Sequence, residues 1–211
     1  MAFMSGDADL RSLIDAIASG EDKAASAMLA ADPALARAAL EAGATRAAAA
    51  ENLLTDIGHY IYAGDTALHV AAAAHRPDMA RRLIDLGADV AARNRRGATP
   101  LHYAADGIPG WSGWDPERQA AVIACLIEAG ADPNAVDKSG VTPLHRAVRT
   151  RCADAVRALL NGGADPQARN GNGSTPLMLA TRQTGRGGSG SEAARAQQAE
   201  IVAMLEALEA A

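Results

Sequence analysis

The chain has 211 residues and a formal net charge of −5, with aromatic residues at only 3% and just two cysteines, Cys125 and Cys152. Two cysteines argue against a disulfide framework, no run of eighteen apolar residues marks a membrane span, and the opening MAFMSGDADLRSL lacks a basic-then-apolar leader. A cytoplasmic location without membrane partners is therefore expected, and the alanine-rich, aromatic-poor composition favours closely stacked helices over one large closed core.

In chain order, Leu10, Leu13, Ile14 and Ile17 fall at helical spacing over 9–19, and Gly20 closes that helix. A second helix is predicted over 21–31, ended at Asp32-Pro33 because the residue before proline is pushed out of the helical region. This pair, 5–33, reads as an N-terminal cap. Two further helices are predicted over 33–42 and 45–54, with Gly43 as the break. Residues 57–64, IGHYIYAG, are β-branched and aromatic and read as an extended strand. The whole stretch 34–63 is then a long finger projecting from one edge, or else a flap covering the apolar edge of the cap, since exposed edges need cover.

From Gly64 onward one unit recurs. Gly64, Gly97, Gly140 and Gly173 open copies at 64–96, 97–139, 140–172 and 173–211, with spacings of 33, 43 and 33. A fixed period in the low thirties signals a solenoid. Each copy begins with a helix-opening tetrapeptide: Thr-Ala-Leu-His at 66–69, Thr-Pro-Leu-His at 99–102 and 142–145, and Thr-Pro-Leu-Met at 175–178. The first three copies continue to Leu-Ile or Leu-Leu, two variable residues and Gly-Ala-Asp, starting at 83, 126 and 159. The second copy carries ten extra residues after its first helix, including Trp111 and Trp114, and the fourth about thirteen, TGRGGSGSEAARAQ. Insertions in solenoids map to loops on one face. The final stretch places Ile201, Met204, Leu205 and Leu208 on the inner side of a closing helix.

These motifs resemble ankyrin repeats of the bacterial type, and eighteen arginines against two lysines point likewise to a GC-rich bacterial genome. The resemblance implies an all-α solenoid, one domain over 1–211, built of helix-turn-helix units with short hairpin-like fingers. It also implies partner binding, and a structural role for His69, His102 and His145 near the finger turns. His75 and Arg151 stand where the family has a turn glycine, so a left-handed backbone there costs about 1 kcal/mol or more each.

Several chemical readings fail on context. His69, His102 and His145 recur once per copy, roughly 10 Å apart at helix-packing distances, whereas zinc needs its nitrogen ligands at about 2 Å. Residues 185–190 match Gly-x-Gly-x-x-Gly but follow a helix, not the strand that a dinucleotide site requires. Ser189 and Glu192 have capping-box spacing, which leaves an anion site beside Arg186 as the weaker reading. No nucleophile–base pair or paired acids are visible. A non-enzymatic chain without cofactor or metal is expected.

Charge placement is more informative than total charge. Residues 1–64 hold nine acidic and four basic side chains, and residues 65–211 hold sixteen of each. On an ankyrin-like stack the finger tips and the first helices line a concave face. Arg93, Arg95, Arg96, Lys138 and Arg169 fall in the fingers, and Arg146, Arg149 and Arg182 on the first helices, against Asp65, Asp106 and Asp137. Tyr103 lies in the same row, with Tyr60 and Tyr62 at its N-terminal end. Tyrosine and arginine are enriched in interface hot spots. The expectation is a monomeric interaction module or scaffold whose positive concave face binds an acidic protein surface. Nucleic-acid binding is the disfavoured alternative, given the acidic total and scarce lysine. A second alternative is an inhibitor or regulator of a specific enzyme that uses the edge bearing Trp111, Trp114, Arg151 and Arg186. The structural reading of that edge folds the tryptophans back onto neighbouring second helices.

Overall fold

The regular copies start from threonines in extended backbone, at φ/ψ of −109°/168° for Thr66, −101°/168° for Thr99 and −90°/165° for Thr142. Three residues on, the histidine Nδ1 accepts the threonine backbone N–H at 3.2, 3.1 and 3.3 Å for His69, His102 and His145. This is a capping box in which histidine stands in for the usual Glu or Gln. Because Nδ1 accepts, the ring proton sits on Nε2. That Nε2 donates to the opening backbone of the following copy: His69 to the Ala98 carbonyl at 3.2 Å, His102 to Val141 at 2.9 Å and His145 to Ser174 at 3.0 Å. One side chain thus starts a helix and fastens it to the next copy.

Residues 3–45, 47–109, 113–182 and 192–210 are described by a computed structural model. Among them the chain forms helix pairs α1 (Phe3–Ser19) and α2 (Asp22–Ala31), α3 (Ala67–Ala73) and α4 (Pro77–Asp85), α5 (Pro100–Ala104) and α6 (Pro116–Glu128), α7 (Pro143–Thr150) and α8 (Ala153–Asn161), and α9 (Pro176–Thr181) and α10 (Glu192–Glu209). The first helices stack in the order α1, α3, α5, α7, α9, and α4, α6, α8 and α10 stack in a second row. The core is periodic as well. Leu68, Leu101 and Leu144 of the opening tetrapeptides and Leu83, Leu126 and Leu159 of the second motif are all fully buried, each contributing about 1.5–3 kcal/mol. The fold is an all-α solenoid, as the motifs imply.

Between copies the chain makes short fingers. Asn94, Asp137 and Asn170 each turn the backbone by accepting two amides, of residues two and four further on, through one side-chain oxygen. A glycine with positive φ follows in each turn, at 76°, 68° and 73° for Gly97, Gly140 and Gly173. Single backbone bonds join successive fingers: Arg95 N–H to the Ala63 carbonyl at 2.7 Å, Lys138 to Arg96 at 2.9 Å and Gly171 to Ser139 at 2.9 Å. The turn residues His75 and Arg151 are left-handed, at φ 50° and 61°. His75 partly offsets its strain by a 3.0 Å bond from Nε2 to the Asp106 carbonyl.

The stretch before Gly64 departs from its expected secondary structure. Instead of helices over 33–42 and 45–54 there are single 3-10 turns at Pro33–Ala36 and Ala50–Asn52. The reason is tertiary. Leu40 donates its N–H to the Asp65 carbonyl at 2.8 Å and accepts from Gly64 at 2.7 Å, Ala39 bridges Thr66, and Ala44 donates to Ile61 at 2.7 Å. Residues 39–44 therefore complete the finger edge of the first copy, and those backbone bonds override helix propensity. Gly43 is required there, because a Cβ would stand 2.5 Å from the Tyr62 backbone. The strand expected over 57–64 shrinks to β2 (His59–Tyr60), paired antiparallel with β1 (Leu53–Leu54). This hairpin lies back on the stack: Leu54 and Ile61 are buried and Ile57 packs against the core.

In the second copy Trp114 turns inward, packs against the core and donates Nε1–H to Gln119 Oε1 at 2.8 Å. Buried Gln119 in turn donates to the Ala104 carbonyl at 2.9 Å. Trp111, Arg186 and the glycine loop at 185–190 lie outside the described residues.

Burial pushes His102 down to about 4, and the nearby Arg146 guanidinium adds to the effect. Its neutral ring therefore contributes stability that is complete above its ordinary value near 6.5 and lost as pH falls toward 4. His102→Ala removes the capping and inter-copy bonds together. Urea denaturation at pH 7.5 should register a loss of about 2–4 kcal/mol, and the fall in wild-type stability on acidification from pH 6.5 to 4.5 should be shallower in the variant.

Candidate functional site

The fingers and the helices α3, α5, α7 and α9 bring most of the expected partner-binding residues onto one side of the stack, but in different states. Tyr103 is buried, not exposed, and is corrected from contact residue to structural residue. Its hydroxyl donates to Asp65 Oδ2 at 2.7 Å and accepts from Asn94 Nδ2 at 2.9 Å. Asp65 is itself fully buried and also accepts from Asn94 Nδ2 at 2.8 Å and from the Tyr62 amide at 2.7 Å. Burial first, then the Asp65 charge and hydrogen bond, pushes the Tyr103 hydroxyl far above its ordinary value. The His59 ring lies 4.2 Å from the Tyr103 ring and covers it, while His69 meets it edge-on at 5.1 Å. Asp65 therefore does not oppose arginines on a surface. It anchors the first finger.

Arg146 is the second correction. Its side chain is only 11% exposed, and its Nη1 and Nη2 bridge Asp106 at 2.9 Å and Asp137 at 3.3 Å. Burial works against the guanidinium charge, but the Asp106 charge and the bonds to Asp137 outweigh it and hold Arg146 above its ordinary value. For Asp137, burial works upward and is outweighed by the Ser139 and Val141 amides and Arg146, so its carboxyl sits below the usual range. This ion bridge fastens the end of α5 to the third copy. The neighbouring Arg149 is 57% exposed and reaches Asp106 only at 3.9 Å.

The finger arginines are exposed, yet each bonds back to the protein. Arg93 Nη1 braces two fingers through the Gly97 and Val136 carbonyls at 2.9 and 2.7 Å. Arg95 bonds the Ala44 carbonyl and stands 5.2 Å from the centre of the Tyr62 ring. Arg96 stands 5.1 Å from the same centre and donates to the Tyr62 hydroxyl at 3.0 Å. These cation–π contacts hold Tyr62 half-buried. Arg169 donates to the Gly173 carbonyl at 2.8 Å and Arg182 to Ser174 Oγ at 3.3 Å. Tyr60, Arg93, Arg95, Arg96, Lys138, Arg149, Arg169 and Arg182 remain exposed. A groove of 410 Å3 runs between the hairpin and the fingers, walled by Tyr60, Tyr62, Arg96 and Arg149 over Tyr103 and Arg146. Lys138, Arg169 and Arg182 lie on the flanking fingers and helix end, outside this groove.

The sequence of either half gave no sign that His59 belongs here. Its value lies in a contact with Tyr103, 44 positions away in the chain. The helix-turn edge holds a larger cleft of 840 Å3, bordered by Ile57, His75, Arg76, Trp114 and Arg118. Arg151 does not border it. That residue lies with Arg182 and Gln198 beside α9 and α10, so the expected edge site is not brought together among its described members. Among the described residues there is also no cluster of three His, Cys, Asp or Glu side chains able to hold a metal ion.

The family model described as "Ankyrin repeats (many copies)" matches residues 57–104 and 126–180, and "Ankyrin repeat" matches 96–138. The chain is an ankyrin-repeat protein. Ankyrin repeats generally mediate protein–protein interaction and form a non-enzymatic interaction module. No described helix is long and apolar enough to cross a membrane. In this ankyrin-repeat chain, of the three tyrosines and eight basic residues expected on the finger side, Tyr103 and Arg146 are buried, Tyr62 is half-buried and the rest are exposed.

The hydroxyl of Tyr103 supplies the test of that division. Tyr103→Phe leaves the buried Asp65 carboxylate short of a donor and should cost about 1–3 kcal/mol in thermal or urea denaturation, while leaving binding of any partner unchanged at temperatures where the variant is folded.

Proposed function

We propose that this ankyrin-repeat chain is a protein-binding module or scaffold that takes an acidic protein segment along its concave side, from the hairpin before the first copy to the fourth copy. The observation that carries the reading is the row of exposed cations Arg96, Lys138, Arg149, Arg169 and Arg182 on successive fingers and first helices, beside a 410 Å3 groove with tyrosine walls. The nearest acids to that groove, Asp106 and Asp137, are bound by Arg146 and do little to cancel the row. Long-range attraction from such a row speeds encounter, and burial of Tyr60 and Tyr62 against the partner supplies affinity. Arg146 is buried between two carboxylates, so one cation fewer faces outward than the sequence promises. A phosphate backbone, which rewards many simultaneous cation contacts, fits this face less well than a carboxylate-bearing chain.

Peptide display against the wild-type protein should enrich segments rich in Asp and Glu that also carry an aromatic residue. The surface variant Lys138→Glu/Arg149→Glu/Arg169→Glu should bind those peptides at least tenfold more weakly, with wild-type affinity falling as salt rises. Enrichment without excess acid, or equal binding by the variant, overturns the proposal.

A further inference from the structure

The hairpin β1–β2 divides the open side of the stack. Gly58, His59, Tyr103 and Asp106 border both the 840 Å3 cleft at the helix-turn edge and the 410 Å3 groove among the fingers. The hairpin tip, residues 55–60, is therefore part of the wall between the two cavities. Its base is built into the fold. Leu54 and Ile61 are buried, Ile61 donates its N–H to the Asn52 carbonyl at 3.0 Å, and Arg11 of α1 reaches Asn52 Oδ1 at 3.1 Å and the Glu51 carbonyl at 2.9 Å. The tip is held far less. Its strands are two residues each, and its turn amides Ile57 and Gly58 bond only within the hairpin, at 3.3 Å to the Leu54 and Thr55 carbonyls. Toward the stack it offers Ile57, partly buried against the core, and the His59 ring on Tyr103.

We propose that residues 55–60 are a lid on the concave site, latched by His59 on Tyr103, and that a bound acidic segment holds the lid open across a groove made continuous by joining both cavities. The proposal rests on the protein-binding reading of that face and names its regulation. Lifting the tip breaks a two-residue ladder, one ring contact and the packing of the single side chain Ile57, leaving the buried base in place. It also carries Asp56 out of the larger cleft, which leaves that space less negative for an acidic guest.

The latch is sensitive to protonation because of where the ring sits. Tyr103 faces it from α5 and Asp106 from two residues past its end, Asp65 and His69 from the first copy, and Arg146 from α7, while Asp56 shares its own hairpin. Burial outweighs the attraction of Asp106 and Asp65, with Arg146 and His69 adding repulsion, so the seated ring favours the neutral form. A histidine whose closed-state value is lowered holds the lid fully above its ordinary value near 6.5 and releases it as pH falls below that.

The test measures amide hydrogen exchange in wild type, His59→Ala and His59→Phe at pH 7.5 and 5.5, corrected for intrinsic rates and referred to the core helices. A fluorescein-labelled dodecapeptide of glutamate serves as the binding probe. Tip protection should fall at least fivefold on acidification in wild type, be low at both pH values in His59→Ala, and be high and pH-independent in His59→Phe. The peptide should bind His59→Ala at least threefold more tightly than wild type. Equal tip protection in wild type and His59→Ala at both pH values overturns the lid, whether or not the peptide binds. Tip opening as described with no peptide binding to any variant supports the lid and overturns the acidic-segment reading.

Discussion

Three histidine side chains carry the continuity of this solenoid. Each ring accepts a backbone amide of its own copy at Nδ1 and donates Nε2–H to a carbonyl of the next. Both ring nitrogens are satisfied while the ring is buried, so the neutral form is the only comfortable one and its tautomer is fixed. A repeat protein gains its stability from such nearest-neighbour terms, since each unit alone cannot bury its own apolar face. In the fourth copy the same position is Met178, which is 41% exposed and has no further copy above it among the described residues.

Charge is spent on the same continuity. The buried group of Asp65, Asn94 and Tyr103 ties the first finger to α5, and the Asp106–Arg146–Asp137 bridge ties the end of α5 to the third copy. A buried ion bridge of this kind does not measure stability by itself, because desolvation offsets much of the attraction. It does fix which copies meet and at what register. The cations left over define the outward character of the concave side, and the total charge of the chain says little about that character.

The copies and the helix pairs were legible in the sequence because they repeat, and a repeated local pattern answers to a repeated local cause. The resemblance implied a structural role for the histidines near the finger turns, and their bonds to the next copy came only with the structure. Residues 39–44 were not legible in that way. Their alanines and leucine satisfy helix propensity, yet the unpaired backbone edge at Gly64–Thr66 draws them into extended pairing. Tyr103 and Arg146 read as surface residues from their row on the first helix. Their buried partners stand 38 and 40 positions earlier, brought close only by stacking. One signal was available for Arg146: Asp137 turns its finger through one carboxylate oxygen, which leaves the other to accept a guanidinium from the following helix.

In the proposed function partner recognition falls on the fingers and first helices, beside the hairpin, while Trp114 packs against the core. Amide chemical-shift mapping of the isotopically labelled protein, titrated with an acidic aromatic peptide, tests this most directly. Shifts are expected to concentrate at residues 55–60, at the fingers around Arg96, Lys138 and Arg169, and at the exposed end of α7 around Arg149. Shifts concentrated instead on the second helices α4, α6 and α8, or spread without pattern, would contradict it.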